Sequence, residues 1–540
     1  MQNDSIKTRI INLLKIRDFK YIFKLTLPIF VQTLFFAIVS ILGSLASTLY
    51  LRVYHIDGSY NGYYFYTIAK ILSVYKILTF VPIIYQLGVL VVVSNLFGQK
   101  REKDIPKVIS SSIYISIIIN VCCYLIMFGF SGIILAKSGA KDAPIYAWKN
   151  KLDYEIYKNN LNIVKNNNLI NVPLDTLVNG GIFKSINFAN TNAIQYINNE
   201  LSFTKKFLRI TTIDIFFASI AAILTSVLQA IKKNKFAIIG VILSIFLRTC
   251  WTYAIFFVPT LFAKNESEIT ILISLETILG GIIQLFIAYI FVQRFIFKKY
   301  KFKFSGSWNN KYIKEIVRLG LPIAIESGIW YISQYFIAAA IPYSGAPDQF
   351  IGIWRALNNT YDIFSSFVLA LSYVTSVIVA IEIGKQDFER AHLLGRNSLK
   401  LGFYAQVIMS LIGVILTYPM LAIYSTDPKL IRDFGYSITA ILMLRAIFDI
   451  GNLTTLRALW GANDVWIPNL VAIVTMIGVQ LSAVYLVAVI HQTSSSIYAM
   501  SHTNFMLLLS AATLLDAIFR TILFGLRWNS KTWIKYAKKL

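Results

Sequence analysis

Cysteine, histidine and acidic residues are scarce here: 540 residues hold three cysteines, four histidines and 26 aspartates and glutamates. Cys122, Cys123 and Cys250 all fall inside apolar runs, so neither a disulfide framework nor a CxxC metal site is expected. His55, His392, His491 and His502 sit in loops or at run ends and form no HExxH-type cluster, which argues against a metalloenzyme. There is no GxxxxGK[ST] phosphate loop and no polar stretch on the basic side long enough for a nucleotide-binding domain, so ATP hydrolysis is not expected. The N-terminal arm is polar and the first apolar run too long for an h-region, so no cleavable signal peptide is expected. Charged residues of both signs make up only 14% of the chain.

Apolar sequence is what the chain has in abundance, at 56% hydrophobic residues and a mean hydropathy of +0.63. A soluble protein could not bury so much. Runs of about 20 residues recur, as spans of a hydrocarbon layer about 30 Å thick require. Lipid cannot satisfy bare peptide groups, so the runs are helices or barrel strands, and their length without period-two alternation selects helices. Twelve spans are expected, at 24–50, 64–96, 108–135, 206–230, 236–262, 269–296, 316–341, 350–383, 398–422, 434–457, 466–490 and 503–526. The second and eighth are long enough to tilt or extend past the bilayer, and Pro82 offers a kink in the second.

The net charge of +25 would suit a nucleic-acid binder, but its distribution says otherwise. Lys and Arg concentrate on alternate loops: the N-terminal arm, Lys100 to Lys107, Lys232-Lys233-Asn234-Lys235, KKYKFKF from Lys298, Lys385 to Arg396, and the tail from Lys531. The opposite short loops hold only Arg52, Lys264, Lys429 and Arg432. This is the positive-inside asymmetry, which puts both termini in the cytoplasm and makes the lipid bilayer, not nucleic acid, the partner. Heavy use of Ile, Lys, Asn, Phe and Tyr fits an AT-rich bacterial genome, hence a multi-pass protein of the bacterial plasma membrane.

The chain repeats itself. KLTLPIF at Lys24 is echoed by RLGLPIA at Arg318, FGQKREKDI by IGKQDFERA, and LQAIKKNKF by LRALWGANDVW. Six spans followed by six of the same pattern give two lobes of equal orientation, related by an axis along the membrane normal. Pro28 and Pro322 stand 294 apart and Gly98 and Gly384 286, but Ala230 and Ala458 only 228, so the first half carries extra residues. They lie in the polar, Asn-rich stretch 136–205, either a small folded cap or a flexible loop. The expected organisation is an all-α polytopic membrane protein: a cytoplasmic arm 1–23, an N-lobe 24–297 with an extracytoplasmic insertion 136–205, a linker 298–315, a C-lobe 316–526 and a cytoplasmic tail 527–540.

The LPI openings of both halves, the glycine-plus-charge loops after the second and eighth spans, and the GAND turn of Gly461 to Asp464 together resemble the multidrug and toxic compound extrusion (MATE) transporters, within the wider multidrug/oligosaccharidyl-lipid/polysaccharide exporter superfamily. The resemblance covers nearly the whole chain outside 136–205. It implies two six-helix lobes facing across a central cavity, alternating access, and export of organic, cationic, amphipathic compounds by Na+- or H+-coupled antiport, with no other cofactor. A small-molecule substrate and a functional monomer go with it. The alternative in the same superfamily is a flippase for lipids or lipid-linked saccharides, whose cavity would carry cationic rather than acidic residues.

Charges at membrane depth cost from about 2.5 to 17 kcal/mol and persist only with a partner or a purpose. Asp449 lies twelve residues before Gly461, the spacing at which Na+-coupled relatives carry an acid in the tenth helix, and the resemblance makes it a candidate cation ligand, with Asn452 beside it. Arg445, four residues earlier, could instead neutralise it, just as Arg520 faces Asp516. Glu326, Trp330, Ser333 and Gln334 form a carboxylate-and-aromatic stripe suited to an organic cation. The family places its acid one turn later, where this chain has Trp330. In the eighth span Arg355, Asn359, Asp362 and Ser366 share a face that reads as a polar cavity wall. Many relatives also carry an aspartate in the first span, where Gly43 and Ser44 stand here. Asp214, Arg248 and Glu276 are the remaining N-lobe charges, expected at an interface or in pairs rather than in transport chemistry.

Overall fold

The computed structural model describes residues 18–50, 75, 80–137, 144–148, 194–257, 266–300, 308–346, 349–422, 431–493 and 500–538. Twelve helices in it are long and apolar enough to cross a membrane, one in each expected run. The spans run Phe19–Tyr50, Phe80–Gly98, Ile105–Lys137, Glu200–Thr212 continued by Asp214–Ala230, Asn234–Phe257, Glu266–Val292, Asn310–Tyr343, Gln349–Gly384, Phe388–Ile415, Tyr436–Gly461, Trp466–Thr475 continued through a π-helical stretch to Ser482–Thr493, and His502–Asn529. Pro28 is accommodated inside the first. Pro82 lies within the described part of the second span, Phe80–Gly98, and the turn before it, 76–79, lies outside the described residues, as does most of 64–79.

Spans one to six pack among themselves, as do seven to twelve, and the two lobes meet where spans one and two lie against seven and eight. The meeting obeys the two-fold symmetry read from the repeat. A Cβ on Gly98 would lie 2.2 Å from the Ile381 carbonyl oxygen, and one on Gly384 2.3 Å from the Asn95 oxygen. Each glycine thus faces the carbonyl three residues before the other, and only a missing Cβ lets two backbones approach so closely. The turns that follow match too, with Lys100 at φ 59° and Gln386 at φ 63°.

The third echo needs a correction of register. The equivalence of Ala230 with Ala458 slips by three residues. The structural partner of Lys232 (φ 62°) is Asn463 (φ 65°), and the closing bonds Lys233 N to Leu228 O and Asp464 N to Leu459 O agree.

Outside the spans, Pro144–Trp148 (β1) pairs antiparallel with Ile194–Asn199 (β2), Trp148 opposite Ile194, with an irregularity between Ile145 and Tyr146. The insertion therefore has folded ends, and the fourth span begins at Glu200, inside the stretch expected to be loop. Residues 149–193 lie outside the described residues.

Candidate functional site

The charged residues of the C-lobe interior come from spans seven, eight, ten and twelve. Helical spacing puts Arg445 with Asp449, and Asp516 with Arg520, on one face of their helices. Asp449 is 5% exposed. Its Oδ2 accepts from the Tyr361 hydroxyl at 2.5 Å and its Oδ1 from Asn452 Nδ2 at 3.1 Å. Arg445 Nε lies 3.4 Å from Asp449 Oδ2 but makes no hydrogen bond among the described residues. The arginine holds Asp449 by charge, the tyrosine by hydrogen bond.

One helix away, Arg520 donates Nε to Asp516 Oδ1 at 2.8 Å and to Thr475 Oγ1 at 3.1 Å, and its Nη2 lies 2.5 Å from Asp516 Oδ2. Its Nη1 is 3.8 Å from Glu326 Oε1, a looser contact. Arg520 thus serves Asp516 first. Arg445 also lies in the fields of Asp516 and Asp362, so the two groups form one network. Glu326 and Asp449 share no direct contact among the described residues; Arg520 and Asp516 lie between their two pairs.

The aromatic stripe on the seventh span divides: Glu326 and Ser333 are buried, while Trp330 is 37% exposed and packs edge-on against Tyr331. Gln334 Nε2 is buried without a partner among the described residues. Asp362 is exposed beside half-buried Tyr361. Three participants escaped sequence reasoning: Tyr361, Thr475 and Arg457. Arg457 is buried with its guanidinium 4.4 Å from both the Tyr373 and Trp460 rings, in the field of Glu326, and its Nε and Nη1 have no partner among the described residues. Aromatic faces stabilise a cation without neutralising it. Three buried carboxylates, Glu326, Asp449 and Asp516, thus stand with three buried arginines, of which Arg457 alone has no acid in ion-pair range among the described residues.

In the N-lobe, Arg248 Nε meets Glu276 Oε1 at 3.2 Å and Thr252 Oγ1 donates to Glu276 Oε2 at 2.5 Å. Asp214 is buried, accepts from the Tyr75 hydroxyl at 2.7 Å through Oδ2, and has no partner for Oδ1 among the described residues. Gly280 and Gly281 make room for these side chains: a Cβ would lie 2.2 Å from Arg248 Cδ or 2.4 Å from Asp214 Oδ1.

The GAND turn serves the lobe seam. Asn463 takes the left-handed conformation that asparagine tolerates, and its Oδ1 accepts from Asn95 Nδ2 of the opposite lobe at 3.3 Å. Asp464, 1% exposed, accepts from Arg527 Nε at 2.7 Å and Nη2 at 3.0 Å, tying the turn to the last span. Burial pushes the Asp464 carboxyl above its ordinary range, and Arg527 pulls it partly back.

The comparisons with known proteins agree on the fold. The MatE family model matches residues 322–486, within the C-lobe. An uncharacterized transporter of Bacillus subtilis, YisQ, is 22% identical over 266 residues, 49% of this chain and 55% of that protein, so the chain matches about half the length of that curated relative. Among solved structures, MATE in the straight conformation aligns with TM-score 0.70 and 12% identity over 98% of this chain and 99% of that one. The outward-facing conformation of a multidrug resistance MATE family transporter gives TM-score 0.69 over 96% and 97% at 12% identity. A transporter from Pyrococcus furiosus, described as having a binding pocket of reverse polarity, gives 0.68 over the same shares at 12% identity.

Proposed function

We propose that this chain, which carries a MatE domain in its C-lobe and the MATE transporter fold throughout, is a secondary active exporter of organic, cationic, amphipathic compounds. Antiport against Na+ or H+ with alternating access would drive it, as a monomer in a bacterial plasma membrane with both termini cytoplasmic. The observation that carries the reading is the cluster of buried carboxylates in the C-lobe, where Glu326 and Asp516 share Arg520, Asp449 lies by Arg445, and Arg457 makes the third buried arginine. A buried carboxylate whose arginine is shared or distant, as Glu326 is at 3.8 Å from Arg520, can attract a further cation. A carboxylate can bind a proton, a metal cation or an organic cation but not all at once, so H+, Na+ and a cationic substrate can compete there. Asp449 and Glu326 are the ligand candidates, with Asn452, Gln334, Trp330 and Asp362 around them. Different affinities in the two lobe arrangements turn that competition into transport. A lipid-type flippase is less well supported, because an interior suited to anionic headgroups would need more free cations than Arg457. The test is transport in vesicles with Na+ and H+ gradients imposed separately: one gradient drives export of a cationic dye, and export under neither would reject the reading.

A further inference from the structure

One cavity at the lobe seam, lined by cations from a basic loop and from the start of the seventh span, is left unused by the transport chemistry above. It has a volume of about 280 Å³ and opens at the basic end of the bundle, where the second span of the N-lobe meets the seventh span of the C-lobe. Asn95 and Arg101 line its N-lobe wall; Lys311, Lys314, Glu315 and Arg318 line its C-lobe wall. Helical spacing of three and four residues stacks Lys311, Lys314 and Arg318 on one face. Four cations therefore face one carboxylate.

Arg101 is held by Asp104 at 2.8 Å, which in turn accepts from Lys107. Lys311, Lys314 and Arg318 form no ion pair within 4.0 Å among the described residues. Glu315 lies in the fields of Arg318, Lys311 and Arg101 without contacting any of them at ion-pair range. The excess charge is not neutralised locally.

The walls belong to different lobes, and the seam between them is tight. Beside the cavity a Cβ on Gly88 would lie 2.6 Å from the Ile316 oxygen, and one on Gly320 2.0 Å from the Ile84 oxygen. Asn309 N donates to Ser111 Oγ at 3.1 Å, pinning the start of the seventh span to the third. Separating the lobes at this end would take Arg101 away from Lys311, Lys314 and Arg318 and dismantle the cavity. We propose that this cavity binds a phosphate-bearing anion between the two lobes and so favours the arrangement in which the lobes are closed at the basic end.

Two sources supply that chemistry at this surface: the headgroup of an anionic phospholipid, or a soluble phosphate compound. A basic pocket between helices at the cytoplasmic side suits the first. Whatever binds the closed arrangement more tightly must shift the equilibrium toward it by the same factor. The inference does not rest on the exporter reading, because neither readout below is transport.

The test uses the full chain with Cys122, Cys123 and Cys250 replaced by serine and spin labels at Lys103 and Gln386, in nanodiscs of phosphatidylcholine with or without phosphatidylglycerol. Phosphatidylglycerol is expected to raise the short-distance population, and native mass spectrometry to retain it on the protein. Lys311→Gln with Arg318→Gln is expected to weaken that retention roughly thirtyfold, about tenfold or less for each cation, and to abolish the distance shift. Lys311→Arg with Arg318→Lys, which keeps the charges, should retain both and serves as the folding control. Inorganic phosphate added to phosphatidylcholine discs separates the sources: a matching shift assigns the site to a soluble anion, no shift to the lipid headgroup. A phosphatidylglycerol effect of equal size in the neutralised double variant, or no response to either anion, would overturn the proposal.

Discussion

Asp449→Asn, Arg445→Gln and their combination ask whether Asp449 couples transport or merely neutralises its neighbour. Coulomb's law at the observed 3.4 Å with an effective dielectric of about 20 gives roughly 5 kcal/mol for the pair. The net loss on removing one charge is smaller, on the order of 3 kcal/mol, because Arg445 keeps the fields of Asp516 and Asp362. Asparagine still accepts from Tyr361, so about 1 to 2 kcal/mol of that bond goes with the charge. Each single variant is therefore expected to unfold at lower temperature by intrinsic tryptophan fluorescence while still reaching the membrane. Removing both charges strands neither, so the double variant should recover most of that stability. Export in vesicles then decides: with a coupling role the double variant is stable and still fails to use a gradient. Tyr361→Phe, which keeps the charge and deletes the hydrogen bond, should cost about 2 kcal/mol and leave gradient-driven export measurable. Gradient-driven export by the Arg445→Gln, Asp449→Asn protein would refute the assignment of Asp449 and move the coupling site to Glu326.

Three further outcomes are expected. Gly98→Ala places a methyl group 2.2 Å from a backbone oxygen, so it should lengthen the distance between labels at Lys103 and Gln386, whereas Gly129→Ala, with nothing within 4 Å, should leave it unchanged. Replacing residues 149–193 by Asn-Gly joins Trp148 to its pairing partner Ile194 through a two-residue hairpin turn, and should preserve membrane abundance and export; loss of export at normal abundance would make the insertion functional. A cysteine at Lys303, in the KKYKFKF segment, should resist an impermeant reagent applied to intact cells, and efficient labelling there would reverse the assigned sidedness.

Hydropathy and repetition made the fold legible because both act along the chain. Each span is long enough to announce itself, and the LPI and glycine-loop echoes fix the order of the lobes. The three-residue slip between LQAIKKNKF and LRALWGANDVW shows the limit. Matching letters paired Ala230 with Ala458, but backbone conformation decides where a helix ends, and the positive φ of Lys232 and Asn463 marks the true correspondence. The site was legible only where partners lie one helical turn apart, as in Arg445 with Asp449 and Asp516 with Arg520. Tyr361 is 88 residues from Asp449 in sequence, and no local period reports a hydrogen bond between spans. It adjoins Asp362, which has the more conspicuous side chain but is exposed. Arg457 was hidden for another reason: its partners are aromatic rings, and a tyrosine and a tryptophan in an apolar span look like ordinary core.

The same two helices serve the charged network and the lobe seam. The eighth span holds Tyr361 against Asp449 and, 23 residues on, ends at Gly384 against Gly98, a lever of about 35 Å at 1.5 Å per residue. The tenth span carries Asp449 and ends at the Gly461 turn, where Asn463 meets Asn95. These helices are also packed together near the seam, since a Cβ on Gly461 would lie 2.5 Å from the Ser376 oxygen. A cation arriving at Asp449 must compete with the Tyr361 hydroxyl for Oδ2, and Tyr361 cannot move far without moving the eighth span. Close-packed helices shift as bodies rather than deform continuously, so a small displacement at the network reaches the glycine contact that holds the lobes together. Coupling by this route needs no chain of side chains between the two places, only that the eighth span stay straight. A proline in its interior, at Leu369, should therefore uncouple seam from network: the label distance at Lys103 and Gln386 would stop responding to Na+ or H+, while the Asp449→Asn change would still alter thermal stability.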